Sequence, residues 1–169
     1  MKIDKGSPYS FRPAEPDDLS RLRRWLRTPE VARWWGDPRR EFDLLRADLN
    51  EPRMTMLIVS LRRRPFAYAQ HYEVHVWPQA HLARLPQGAR AIDSFIGLPS
   101  MIGRGHGQAY LRLLAERLAA LGAPLLALDP DADNLRARRA YAKAGFVGEA
   151  PVLTEAGRVV VMIYEPSLN

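Results

Sequence analysis

Three glycines at alternate positions, in Gly103-Arg104-Gly105-His106-Gly107, follow a strand-like apolar run and open an amphipathic helical one. No other stretch restricts the fold of this chain so tightly. Glycine reaches backbone conformations closed to other residues, so the chain can turn sharply and approach a ligand closely. The amides at a helix N-terminus have no intrahelical partners, and the macrodipole there favours an anion. The turn therefore predicts a phosphate or pyrophosphate site, with Arg104 as an added positive charge. The competing reading is a turn that only lets helix and strand pack closely. Two familiar phosphate motifs do not fit. No Gly-Lys-Ser/Thr ending is present, which argues against nucleoside-triphosphate hydrolysis. The spacing also differs from the Gly-x-Gly-x-x-Gly dinucleotide fingerprint.

Periodicity and punctuation around this turn predict an α/β domain. Tyr9–Arg12 reads as a first strand, followed by a helix capped by Asp17 and Asp18 and running to about Arg27. Its apolar stripe is Leu19, Leu22, Trp25 and Leu26. Thr28-Pro29-Glu30 starts a second helix that ends at Gly36, and Arg40–Leu49 a third. Thr55–Leu61 and Phe66–Val76 read as a hairpin about a turn at Arg62–Pro65. Trp77–Arg90 reads as a loop and Ala91–Ile96 as a strand. The helix opened by the glycines runs to Leu121, with Leu111, Leu114, Ala115, Leu118 and Leu121 on one face. Leu125–Leu128 is a buried-type strand, and Asn134–Ala144 a helix ended by Gly145. Phe146–Leu153 and Val159–Tyr164 are the last two strands. The order predicts one domain over residues 1–169, a mixed central sheet flanked by helices.

The chain has 169 residues, within the range of a single domain. It carries 25 basic and 19 acidic residues for a net charge of +6, nearly all of the positive charge being arginine. That balance admits a nucleic-acid partner, a smaller polyanion such as a nucleotide cofactor, or simply a solvated surface. Charge alone does not choose among them. No cysteine is present, which excludes a disulfide framework, thiolate metal sites and a cysteine nucleophile. The N-terminus has no apolar signal segment and no run is long enough to cross a bilayer, so a cytoplasmic location without membrane partners is expected.

Three segments together carry a family resemblance. Gly103-Arg104-Gly105-His106-Gly107, Asp129-Pro130 leading to Asn134-Leu135-Arg136-Ala137, and Ala140-Tyr141-x-Lys143-Ala144-Gly145-Phe146 resemble the GNAT superfamily of N-acetyltransferases. One departure is Ile102, where the superfamily usually has Gln or Arg. Trp34-Trp35-Gly36, Tyr68-Ala69-Gln70-x-Tyr72 and Ile92-Asp93 are most similar to the aminoglycoside 6′-N-acetyltransferases. The resemblance implies acetyl-CoA as donor and direct transfer to a primary amine of a small molecule in a ternary complex. It implies a cofactor site of Phe95, Ile96, Ile102, Gly103, Arg104, Gly105, His106, Gly107, Gln108, Asn134 and Arg136. Asp93 is implied as acceptor of the ammonium proton or holder of the amine, and Tyr141 as the acid at the CoA sulfur. Trp35, Gln70, Tyr72, Asp93 and Asp129 are the implied substrate contacts.

Read as residues alone, the same positions keep a second meaning. Asp93 is equally a strand-end carboxylate paired with an arginine, and the alternative for Tyr141, whose phenol suits proton donation, is a core aromatic one turn after Ala137. Asp131 reads as a solvated turn residue, and Asp133 or Asn134 as a helix cap. Adjacent tryptophans cannot share one helix face, so one of Trp34 and Trp35 enters the core while the other walls a cleft. His71, Glu73 and His75 alternate on one strand face, which reads as polar, solvent-facing alternation and not as a metal site. A tri- or tetracationic drug favours an acidic pocket, whereas the segment Gln79–Arg90 is basic. A siderophore precursor, a polyamine or a protein N-terminus is therefore the alternative acceptor. A basic nucleic-acid-binding module and a CoA-binding sensor without turnover are the other readings. The chain shows neither a recognition-helix pattern nor an aromatic–basic repeat, so no nucleic acid is expected, and the assembly expected is a monomer or homodimer.

Overall fold

The computed structural model describes residues 6–166; the ends of the expected 1–169 domain lie outside the described residues. The chain forms two compact units, one of residues up to Gln70 with Ser94–Ile102, the other of His71–Asp93 with the chain from Gly103 onward.

In the first unit β1 (Tyr9–Pro13) pairs antiparallel with β2 (Thr55–Leu61), with Phe11 opposite Val59. Between them come α1 (Leu19–Leu26), α2 (Pro29–Trp35) and α3 (Pro38–Asp48). Helix α1 buries Leu22, Trp25 and Leu26, as its stripe predicts. Asp18 does not cap it. The carboxylate is buried and takes Arg12 through two bonds of 2.6 and 2.7 Å, with Arg21 as a second partner. Helix α3 starts earlier than the expected Arg40, because the Asp37 side chain accepts from the amides of Arg39 and Arg40 at 3.1 and 2.9 Å. Pro38, with no amide hydrogen to satisfy, suits the first position.

The hairpin turn is tighter than its predicted four residues. Arg62 and Arg63 both have positive φ, 46° and 70°, so that β3 begins at once and runs Arg64–Glu73. Two-residue hairpin loops of this kind need left-handed residues at both positions. β3 and β4 (Arg90–Ile96) run through both units. Just past β4, the Gly97 amide donates to the Phe66 carbonyl at 2.8 Å. A β-carbon at Gly97 would lie 2.1 Å from two atoms of the Trp25 indole, so only glycine fits against that ring.

The second unit adds α4 (His106–Ala120), β5 (Leu126–Leu128), α5 (Leu135–Ala144), β6 (Val147–Gly148), β7 (Val152–Thr154), β8 (Gly157–Val159) and β9 (Met162–Tyr164). β4 and β5 pair in parallel, whereas β9 is antiparallel to both β5 and β6. The strand order is β1-β2-β3-β4-β5-β9-β6, a mixed sheet. The two long strands expected after Phe146 are instead four short ones. Pro151 lacks an amide hydrogen and interrupts the first, and β7 and β8 form a separate two-stranded sheet. Leu121 leaves the predicted apolar face: α4 ends at Ala120 and Leu121 is 84% exposed. The segment after β3 is not all loop, since Ala80–Leu82 forms a 3-10 turn anchored by buried Leu82 and Leu85.

Candidate active site

The glycine turn takes the form its sequence predicts. Gly103 and Gly105 have φ of +73° and +81°, and Gly105 is the N-terminal cap of the 15-residue helix α4. A β-carbon at Gly103 would meet nothing within 4 Å, so backbone conformation and not crowding demands glycine there. Gly103, Arg104 and Gly105 are exposed, and His106, Gly107 and Gln108 form the half-buried first turn. No acidic residue lies in that turn. The positive end of the helix therefore lies at an exposed turn beside one arginine, an arrangement suited to a phosphate. At the start of α5 the Asn134 side chain accepts from the Ala137 amide at 3.2 Å, which makes Asn134 and not Asp133 the cap. Arg136 is exposed on the first turn of that helix. Asp131 is half-buried, and its carboxylate accepts from the Asp133 amide within the turn.

Four predicted residues of the second unit come together electrostatically. Burial pushes the Tyr72 phenol well above its usual range, and the charges of Asp93 and Asp129 push it further. Burial likewise raises Tyr141, reinforced by Tyr110, Asp93 and Asp129. Both phenols therefore stay protonated and act as hydrogen-bond donors or weak acids at neutral pH. Both carboxylates are half-buried, Asp93 at the middle of β4 and Asp129 just after β5. The Tyr72 hydroxyl accepts from the Gln79 amide nitrogen at 2.9 Å, and its ring meets Trp77 edge-on with centroids 5.3 Å apart.

Three residues at this cluster escaped sequence reading. His81 places Nε2 2.8 Å from Asp129 Oδ2, and its side chain is only 11% exposed. Gln79 and His81 sit in the segment read as unstructured, where only the apolar spacing of Leu82 and Leu85 marks an anchored turn. Tyr110 is buried on α4 and lies one turn beyond His106.

The remaining predicted contacts belong to the first unit. Trp35 is half-buried and packs edge-on against Phe95 and Tyr68, with centroids 4.7 and 6.1 Å apart. Trp34 instead donates from its indole nitrogen to Glu30 at 3.2 Å and lies under the Arg33 guanidinium. The Phe95 side chain is buried in this aromatic group, leaving backbone as the part of it that a cofactor could meet. Gln70 is buried and its carbonyl accepts from the Tyr68 hydroxyl at 2.6 Å. Ile96 and Ile102 are half-buried. Back in the second unit, His71 corrects the expected solvent-facing alternation. It is 8% exposed, accepts from Arg90 Nε at 2.9 Å, and has its pKa lowered to about 4 by burial and the Arg90 charge.

The geometry has counterparts among known proteins. The family described as acetyltransferase (GNAT) domain matches residues 15–153. An aminoglycoside N(6′)-acetyltransferase type 1 of Klebsiella pneumoniae is 31% identical over 161 residues, 86% of this chain and 77% of the relative. A kanamycin resistance protein of Rhizobium radiobacter is 38% identical over 79 residues, 45% of this chain and 71% of the relative. The structure of AAC(6′)-Ib in complex with acetyl-CoA matches with a TM-score of 0.82 at 29% identity, covering 94% of each chain. AAC(6′)-Ib with coenzyme A and kanamycin matches with a TM-score of 0.80 at 29% identity, covering 93% of this chain and 94% of the other. The central mixed sheet flanked by helices is thus the fold of these acetyltransferases.

Proposed function

The chain belongs to the GNAT acetyltransferase family, and on that premise we propose that it transfers the acetyl group of acetyl-CoA to the 6′-amine of an aminoglycoside, by direct attack in a ternary complex within a single catalytic domain. The observation that carries this reading is the clustering of Asp93 and Asp129 with the protonated phenols of Tyr72 and Tyr141. The relatives named above are an aminoglycoside acetyltransferase and a kanamycin resistance protein.

The chemistry follows from the charges. A substrate amine arrives as an ammonium, and two half-buried carboxylates attract it. Asp93 takes its proton, directly or through a water, and the free amine attacks the thioester carbonyl. The C–N bond forms, the C–S bond breaks with its electron pair going to sulfur, and the second proton shed by the acylated nitrogen neutralises the thiolate. An alkyl thiol has a pKa of about 8.5, below that of the raised Tyr141 phenol. Tyr141 therefore serves chiefly as a hydrogen-bond donor that stabilises the thiolate as it forms. The exposed glycine turn with Arg104 suits the pyrophosphate of the donor, assisted by Arg136 and Asn134. Tyr72 and Asp129 are assigned to the acceptor.

A specific observation keeps another amine acceptor in play: no acidic residue lies between Glu73 and Asp93. Acetyl-CoA should raise the melting temperature, and thiol release should follow addition of kanamycin. The absence of any thermal shift refutes donor binding. A shift with turnover only on amines other than aminoglycosides refutes the acceptor. Asp93→Asn should lower kcat about 10²-fold, the usual weight of a general base, with donor affinity kept. A loss confined to donor affinity contradicts the role of Asp93.

A further inference from the structure

Asp129 is the acceptor-site carboxylate, and one of its two oxygens is already taken by His81 at 2.8 Å. The contact is built and not incidental. His81 is 11% exposed and Asp129 28%, and the residue after His81, Leu82, is anchored in the core. The titratable groups around the pair are Tyr72 on β3 and Tyr141 on α5, which both feel the charges of Asp129 and of Asp93 on β4. Arg84, the arginine of the same segment, is bound to Glu149 and does not compete for Asp129. Histidine is the side chain that changes charge near neutral pH.

We propose that His81 is a specificity-determining residue that sets, by its own protonation, how strongly Asp129 attracts a cationic acceptor. Neutral His81 donates one hydrogen bond that orients the carboxylate and leaves its charge intact. Protonated His81 neutralises that charge and competes directly with the substrate ammonium. Binding of a cation at Asp129 and of a proton at His81 then oppose each other, and the opposition is reciprocal. The inference rests on the amine-acceptor reading above, and it explains how a site with few acidic residues discriminates among amines.

The test compares wild type with His81→Gln, whose amide can still donate to Asp129 but cannot become charged. With acetyl-CoA saturating, the wild-type KM for kanamycin should rise as pH falls from 8.5 to 5.5, by up to about tenfold per pH unit. His81→Gln should lose that rise, so the ratio of the two KM values changes steadily with pH. A ratio constant from pH 5.5 to 8.5 overturns the proposal. Calorimetry in buffers of different ionisation enthalpy reads the same coupling without turnover. Kanamycin should expel more protons from wild type than from His81→Gln at pH 6.5, and equal release overturns the proposal. Failure of kanamycin to bind at all strikes the acceptor reading itself. Binding with identical pH responses strikes only the role of His81.

Discussion

Acidification should destabilise this fold through one identifiable residue. His71 lies in β3 with its ring nitrogen Nδ1 accepting from Arg90 Nε, so adding a proton there would set two donors and two positive charges against each other. Burial, then the Arg90 charge, lowers its pKa from 6.5 to about 4. Between these values the unfolded chain binds a proton that the native one refuses, so stability falls as pH falls. The displacement of two to three pH units is worth about 3 kcal/mol when fully expressed. From pH 7.5 the loss should reach about 1 kcal/mol at pH 5.5 and about 2 kcal/mol at pH 4.5. Urea unfolding of wild type and His71→Gln across this range measures it. Glutamine can still accept from Arg90 and does not titrate, so carboxylate effects common to both proteins cancel in the difference. The two stability curves should approach each other as pH falls. Parallel curves would refute the reasoning, whatever their offset.

Two further outcomes follow from contacts already described. Gly97→Ala places a methyl group 2.1 Å from the Trp25 indole and should cost about 1–3 kcal/mol of stability by overpacking, read as a lower urea midpoint; an unchanged midpoint would show that Trp25 yields freely. Tyr141→Phe should lower kcat about 10²-fold with little change in the acceptor KM. Because burial raises the Tyr141 pKa, the wild-type rate should show no alkaline fall from its ionisation up to pH 10.

Much of this architecture is legible from local chemistry. The glycine turn, the proline-started helix α2 and the Gly145 end of α5 are each dictated by a few adjacent residues, and the structure places them where the sequence does. Misreadings arise where a residue's role depends on distant chain. Asp18 has the form of a helix cap, yet Arg12 of β1 claims it, six positions away along a turn. His71 reads as solvent-facing because strict alternation assumes one wetted face, whereas β3 is buried on both faces from Phe66 to Tyr72. At the candidate site, Asp93, Asp129, Tyr72 and Tyr141 are recoverable from motif. His81 is not, because its partner lies 48 positions away and its own segment has no period.

The Arg62-Arg63 turn has a kinetic consequence. Left-handed backbone disfavours arginine by roughly 1–2 kcal/mol per residue relative to the usual region, and glycine or asparagine would remove much of that opposition. β2 and β3 adjoin in sequence, so their hairpin is the sheet's most local contact and the cheapest in chain entropy to close. Strain at its turn lessens that head start. Sheet assembly therefore leans more heavily on distant partners, such as the carbonyl of Pro8 that receives the Arg62 amide at 2.8 Å. The chain gives up some speed in forming its simplest element, and the finished sheet holds two arginines in a shape that they would not choose alone.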